Sequence, residues 1–209
     1  GLLTVGLVIG ASLYKEHADI DRRERERFST QAQVVEKSVG GVLDVVNRAL
    51  IGIRDDLPGW RAEKDGMAHA SQRLRAFADA MRSVRTLQVL DSEGDVVAAN
   101  RPELLGKNFS SRAYFQVPLA QPHIDRLYVS PPFQTSLGVW SMNVVRMVPG
   151  PNGEFAGIVS ATLDPEELRA GLAAVLYEPD MWAALAHGDG LQILMEPDRP
   201  DQAAKNLAQ

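Results

Sequence analysis

The chain has 209 residues, of which 45% are hydrophobic and 23% are charged, a composition that excludes disorder over most of its length. The net charge is −5 and no long block of Lys and Arg occurs, so we expect no nucleic-acid partner. Because cysteine is absent, disulfides, thiol nucleophiles and cysteine metal sites are excluded as well.

The first residues form an uncharged apolar run, 1–14, which begins without Met. At about 1.5 Å per residue a helix of this length is too short for the roughly 30 Å hydrocarbon core of a bilayer. We interpret the run as the end of a transmembrane helix, because no small-residue cleavage site follows and helix-compatible sequence continues. A signal-peptide core and a buried helix are the alternatives.

Residues 15–57 are predicted to form a stalk and a long signalling helix. Asp19 and Arg23, like Asp21 and Arg25, stand four residues apart, where a helix brings opposite charges together. Within this segment, apolar residues alternate steps of four and three, which is the period of a helix seam: Phe28, Ala32, Val35, Val39, Val42, Val46, Ala49 and Ile53. Pro58 and Gly59 are expected to end the helix. The seam favours a parallel homodimer, although a helix packed on its own core gives the same pattern.

The next segment, 58–175, is predicted to be an α+β domain. A second helix is expected at 67–83, with an apolar side made of Met67, Leu74, Phe77, Ala78 and Met81. A hairpin at 86–100, strands near 126–131, 138–148 and 155–163, and a helix opened by Asp164 and Pro165 should follow. Since the strands are grouped rather than alternating with helices, we expect an antiparallel sheet flanked by helices.

The last segment, 176–209, has the features of a second domain that begins and is cut short. Residues 182–195 repeat the strand, glycine turn, strand form of 86–99. The alternative is a last hairpin that completes the first domain.

The most informative stretch runs from Gly106 to Val148 and is typical of the wall of a small-ligand pocket. Two guanidiniums, two phenols and an indole lie close together in the sequence, a set that suits a compact carboxylate: Arg112, Tyr114, Tyr128, Ser130, Trp140, Asn143 and Arg146. No nucleophile, general base or metal-ligand spacing accompanies them, so we expect neither catalysis nor a metal or cofactor.

Each of these residues also has an ordinary explanation. The aromatic side chains can be core residues, and Arg112 can pair structurally with Glu103, Asp125 or another acid. In a regular strand, Trp140 and Arg146 would lie on one face and Asn143 on the other, so they cannot all face one pocket without a bulge.

Five segments together resemble the Cache sensor domains of bacterial membrane receptors, which are also described as extracytoplasmic PAS-like domains. They are residues 91–100, 106–115, 128–132, 138–140 and 153–159. The resemblance is greatest to the double-Cache sensors of membrane-bound diguanylate cyclases and some histidine kinases. It implies a long N-terminal helix, a PAS-like pocket domain, a smaller second PAS-like domain, and a cytoplasmic output domain across the bacterial inner membrane. The sensor would face the periplasm or cell exterior.

The same resemblance implies roles for individual residues. Arg112 and Tyr114 match the element that holds a ligand carboxylate, and Tyr128, Ser130 and Trp140 would line the remaining walls. In amino-acid sensors of this family an aspartate on the last strand holds the ligand amine, whereas this chain has Thr162 at the matching position. The ligand implied is therefore a simple carboxylate. Two other functions stay open: a structural dimerisation module without a ligand, and an extracytoplasmic hydrolase, for which no catalytic pair is found.

Overall fold

The computed structural model describes the backbone of residues 2–135 and 139–198, and side chains from residue 24 onward within those ranges. The chain divides into two units, Gly1–Ser38 and Val39–Gln209. Helix α1 covers Leu2–Ala62. The predicted transmembrane end has helical backbone from Leu2, but its side chains lie outside the described residues. Within the part of the chain described here, no helix is long and apolar enough to cross a membrane.

The prediction that α1 ends at Pro58 is wrong, because the helix continues to Ala62. A proline inside a helix removes one backbone donor and costs about 3 kcal/mol. Leu57 and Trp60, on either side of it, are nonetheless buried. Burying two large apolar side chains contributes roughly 1.5–3 kcal/mol each, which offsets the loss.

The upper part of the predicted seam packs on its own domain. Val46 and Ile53 of the seam have no exposed surface, nor do Leu50 and Leu57 beside it, and the four follow one another by four, three and four residues. This is the alternative in which an amphipathic helix covers one core. In the first unit, by contrast, Phe28 is 51% exposed.

Helix α2 spans Gly66–Ala80. Its buried stripe advances by four residues through Gly66, Ala70, Leu74 and Ala78, and these mostly small residues let it lie close against strands β1 (Val84–Leu90) and β2 (Val96–Ala99). Phe77 lies outside the stripe and is 39% exposed, so its assignment to the apolar side is wrong.

Strands β3 (Tyr128–Val129), β6 (Asn143–Pro149) and β7 (Phe155–Leu163) join β1 and β2 in the central sheet. Its five strands are antiparallel and follow the order β2-β1-β7-β6-β3. A short 3₁₀ turn at Pro102–Leu104 and helix α3 (Ala113–Ala120) connect β2 to β3. The α+β class and the antiparallel sheet flanked by helices are confirmed.

Two small hairpins complete the described fold. Strands β4 (Phe133–Gln134) and β5 (Trp140–Ser141) form one of them, which we call the cap hairpin. After helix α4 (Pro165–Ala173), strands β8 (Ala183–Ala186) and β9 (Gln192–Glu196) form the other, and the predicted second domain continues outside the described residues from 199 to 209. His187 Nε2 lies 3.2 Å from the carbonyl oxygen of Val129, so this hairpin contacts strand β3.

Candidate ligand-binding site

The sheet has one face toward α3 that is unusually polar for a buried surface. Cross-strand neighbours include Gln88 with Ser160 and Asn143 with Thr162, so these side chains share a face. We call the buried polar residues here the polar face: Thr86, Gln88, Ser130, Asn143, Ser160 and Thr162, none of them more than 8% exposed. Val145, Tyr114 and Phe115 belong to the apolar cluster beside them.

Hydrogen bonds connect part of the polar face. Asn143 Nδ2 donates to Ser160 Oγ at 3.0 Å, and the backbone N–H of Asn143 donates to Ser130 Oγ at 2.9 Å. Two amide oxygens are different: Gln88 Oε1 and Asn143 Oδ1 are buried and accept no hydrogen bond from any described residue. A buried acceptor without a donor costs about 1–3 kcal/mol, so such atoms mark places where a ligand or water can bind.

Arg112 lies at the N-terminal end of α3 and is half-buried. Its Cζ atom is 5.8 Å from the ring centre of Phe133 in the cap hairpin. Among the described residues, no carboxylate lies within salt-bridge distance of its guanidinium, and Glu103, one of the possible structural partners, is paired with Arg101 instead. Arg112 therefore keeps its hydrogen-bonding capacity for another group.

Tyr114 connects the arginine to the polar face. Its ring centre lies 5.6 Å from that of Phe133. Burial raises the pKa of Tyr114 to about 12, although the Arg112 charge and a hydrogen bond with the Gln88 side chain act in the opposite direction. The hydroxyl is therefore protonated at physiological pH and can donate.

Tyr128 is half-buried on edge strand β3 and pairs with Val145. Burial raises the pKa of Tyr128, and the nearby Asp189 carboxylate raises it further. The phenol lines a cavity of about 40 Å³, which has room for a few water molecules. The other lining residues are Val117, Pro118, Gln121, His123, Arg126, Val145 and Met147.

Trp140 is half-buried in the cap hairpin, where it pairs with Gln134. The predicted single strand at 138–148 is interrupted at Met142, between β5 and β6. Ser141 Oγ donates to the Leu163 carbonyl at 2.6 Å near this interruption, and Gly138 lies outside the described residues. Trp140 and Asn143 therefore belong to different sheets.

Arg146 is not brought together with the other predicted residues. It is 7% exposed and lies on the opposite side of the sheet, where its Nε donates to Asn47 Oδ1 of α1 at 2.8 Å. Its Nη1 donates to the Ile124 carbonyl at 3.3 Å. Burial and the neighbouring Arg54 lower the pKa of Arg146. The reason is the alternation of side chains along β6, which directs Asn143 and Val145 one way and Arg146 the other.

Sequence reasoning missed Gln88 and Ser160. Both occur in strands where polar residues alternate with apolar ones, Thr86 and Gln88 in β1 and Ser160 and Thr162 in β7. Alternation of this kind within strands buried on both sides signals a polar surface that needs partners. In the described residues no group of three or more His, Asp or Glu side chains could hold a metal ion.

Four features define the class of architecture: a long helix, a five-stranded antiparallel sheet, an arginine at the start of the connecting helix, and a cap hairpin. The chain has the fold of extracellular sensor domains of the Cache, PAS-like type. No protein-family model matches the chain, and a comparison with curated protein sequences gives no match.

Three solved structures illustrate the likeness. The extracellular domain of rpHK1S-Z16, described as a histidine kinase, is 23% identical with a TM-score of 0.72; the alignment covers 90% of this chain and 76% of that one. The ligand-binding domain of the Pseudomonas fluorescens chemoreceptor CtaA, in complex with L-serine, is 16% identical with a TM-score of 0.65 and coverages of 91% and 78%. The ligand-binding domain of the Pseudomonas aeruginosa amino acid chemoreceptor PctC, in complex with GABA, is 19% identical with a TM-score of 0.62 and coverages of 88% and 78%.

Proposed function

We propose that this chain is the extracytoplasmic ligand-sensing domain of a bacterial transmembrane signalling receptor and that it binds a small carboxylate. The fold supports a sensor. The observation that carries the carboxylate is Arg112, half-buried beside Tyr114 and Phe133, with no carboxylate partner among the described residues.

A guanidinium matches a carboxylate in its plane and can donate two parallel hydrogen bonds to it. Hydrogen bonds to charged groups are worth about 1.5–3 kcal/mol each, so one such pair supplies a large share of the roughly −8 kcal/mol of a micromolar complex. Tyr114, which stays protonated, can donate to the same carboxylate.

The remaining site favours a simple carboxylate over an amino acid. L-serine and GABA are the ligands in the structures of CtaA and PctC. In this chain, Thr162 occupies the position that the family resemblance assigns to an amine-binding aspartate, and Thr162 carries no negative charge. An ammonium group would therefore lack its counter-charge there.

The role in signalling follows from the connection between the sheet and α1. We propose a receptor in the bacterial inner membrane whose sensor faces the periplasm or cell exterior and has no catalytic activity of its own. Its cytoplasmic output would be a diguanylate cyclase or a histidine kinase. Ligand would shift a two-state equilibrium, and a complete reversal from 1:99 to 99:1 requires about 5.5 kcal/mol of differential affinity.

The test is thermal unfolding of the chain with a panel of small carboxylates, amines and purines, beside Arg112→Ala. A ligand at a hundred times its dissociation constant should add about 2.7 kcal/mol to the free energy of unfolding and raise the melting temperature. A carboxylate that stabilises the wild type, and not a folded Arg112→Ala variant, supports the proposal. If no carboxylate stabilises the chain, or if the effect persists in Arg112→Ala, the assignment is wrong.

A structural dimerisation module is the second candidate, because Phe28 is exposed in the first unit and belongs to the predicted seam. We propose a homodimer through this part of α1 in either case. Sedimentation of the chain and of Phe28→Glu tests it: dimers that dissociate in the variant support the seam. Dimers without any carboxylate response would favour the module over the sensor.

A further inference from the structure

We infer that the ligand is a hydroxycarboxylate, whose hydroxyl group donates its one proton to one of the two orphan oxygens, Gln88 Oε1 or Asn143 Oδ1. This inference rests on the proposed carboxylate sensor and deepens it: Arg112 binds the acid, and the two amides determine which acids are accepted. The ligand class is thus a short carboxylic acid with a hydroxyl close to the carboxylate.

The first step is that the site requires a donor. Gln88 is 3% exposed and Asn143 is 1% exposed, so water from the surface does not solvate them freely. The nitrogen end of the Asn143 amide is already engaged, because Asn143 Nδ2 donates to Ser160 Oγ. The two amide oxygens, which accept nothing from the described residues, can be satisfied only by an O–H or N–H group.

The second step is that the donor should be neutral. On this face, strands β1, β6 and β7 present Thr, Gln, Asn and Ser side chains but no carboxylate. A buried ammonium without a counter-charge is strongly disfavoured, and the Arg112 cation beside Tyr114 adds to the penalty. Asp189, the acid near Tyr128, is exposed and lies 3.1 Å from His187 Nδ1.

The third step is that one small molecule can satisfy both requirements. The Arg112 Cζ atom and the Tyr114 ring centre lie 5.8 and 5.6 Å from the ring centre of Phe133, and Tyr114 belongs to the apolar cluster that contains Val145, the cross-strand partner of Ser160. Gln88 pairs across the strands with Ser160, which accepts from Asn143. The arginine that would bind the carboxylate and the amide oxygens that would accept from the hydroxyl are thus close together. This arrangement suits a ligand whose hydroxyl lies near its carboxylate.

The experiment uses matched acids that differ in one group. Isothermal titration of the 209-residue chain compares L-lactate with propionate and L-malate with succinate, with L-alanine as the amino counterpart of L-lactate. Because an unpaired buried acceptor costs about 1–3 kcal/mol, the better hydroxy acid should bind about tenfold to a hundredfold tighter than its deoxy partner. L-alanine should bind more weakly than L-lactate.

Substitutions test which residues distinguish a hydroxy acid from its deoxy partner. Gln88→Met and Asn143→Leu remove the acceptors and should bring each matched pair to within about threefold. Gln192→Leu is the matched control, because Gln192 Oε1 is also buried and accepts nothing from the described residues but lies in the β8–β9 hairpin, and the variant should keep the wild-type discrimination. Asn143→Asp supplies a negative charge and should shift the preference toward L-alanine.

The outcomes separate this inference from the proposed function. If hydroxy and deoxy acids bind equally well, and both depend on Arg112, the sensor stands and the hydroxycarboxylate is wrong. Tighter binding of L-alanine than of L-lactate to the wild type would likewise overturn it. If none of these acids binds, or if Arg112→Ala has no effect on binding, the carboxylate sensor itself is wrong.

Discussion

Arg146 Nε donates to Asn47 Oδ1 at 2.8 Å and thereby joins strand β6 of the central sheet to helix α1. The two residues are 99 positions apart in the sequence. Asn143, three positions before Arg146, lies on the opposite face of the strand with the polar residues. Arg146, which the sequence predicted to bind ligand, therefore connects the sheet to the long helix.

Replacing Arg146 with methionine should destabilise the fold. The variant keeps much of the apolar stem but loses hydrogen bonds from a charged donor, which are worth about 1.5–3 kcal/mol, and it leaves Asn47 and the Ile124 carbonyl without this partner. Urea unfolding should show a loss of about 2–3 kcal/mol. Arg75→Met, on the exposed surface of α2, is the control and should stay within about 0.5 kcal/mol. The double variant with Asn47→Ala should lose less than the sum of the two, and strict additivity would contradict the contact.

Replacing Arg112, unlike replacing Arg146, should weaken ligand binding while changing the stability of the fold only slightly. Its described contact within the fold is with the Phe133 ring, which is worth about 0.5–1 kcal/mol at an exposed site. Arg112→Ala should therefore lower the free energy of unfolding by no more than about 1 kcal/mol, while the dissociation constant for the ligand rises at least about tenfold. Arg101→Ala is the comparison, because Arg101 donates to the Arg85 carbonyl and should affect stability without affecting binding. A large stability loss in Arg112→Ala would indicate a structural role.

Tyr114 should make stability depend on pH in the alkaline range. Its folded-state pKa is about 12, against 10.0 for an ordinary tyrosine, so between these values the unfolded chain releases a proton that the folded chain retains. The stability contributed is complete below pH 10 and is lost as the pH rises toward 12, by roughly 2–3 kcal/mol in total. Denaturant unfolding at several pH values should show a shallower decline in Tyr114→Phe. The exposed Tyr177→Phe serves as a control, and identical profiles for wild type and Tyr114→Phe would refute the prediction.

Gly157 in β7 should tolerate no side chain. Its φ is +123°, and an added Cβ would overlap the carbonyl oxygen of Leu90 in the neighbouring strand. Gly157→Ala should therefore cost more than about 3 kcal/mol, since both the backbone conformation and the strand spacing must change. Gly153 also has a positive φ, but an added Cβ there would contact no neighbouring atom. Gly153→Ala should therefore lower the free energy of unfolding by about 1–2 kcal/mol in the same urea experiment. Equal losses would show that the contact with Leu90 is unimportant.

The local elements could be predicted where short-range chemistry decides them. Asp164 accepts from the backbone N–H of Glu166 at 3.0 Å and Pro165 begins α4, as the capping pattern indicated. The turn at Asp91–Gly94 likewise joins β1 to β2, and Gly94 has a φ of +87°. In both cases the favoured residue and the backbone conformation lie within four positions of each other.

The candidate site could be predicted only in part, because contacts distant in sequence determine it. Arg112 and Tyr114 were identified from their segment, and the structure places them together beside the cap hairpin. The face of Arg146 depends on where β6 starts, and the interruption at Met142 involves pairing with β4 and a bond to Leu163. The alternation of polar and apolar residues in β1 indicates that Gln88 belongs to a polar surface, but only the folded contacts show that its oxygen accepts nothing from the described residues.

Three residues in the short segment from Trp140 to Arg146 have three different structural roles. Trp140 belongs to the cap, Asn143 to the polar face and Arg146 to the contact with α1. Because side chains on a strand alternate, the residue that contributes to the polar face and the residue that holds the helix occupy separate positions of β6. Substitutions at one set of positions can therefore change the polar face without altering the hydrogen bonds that hold β6 against α1.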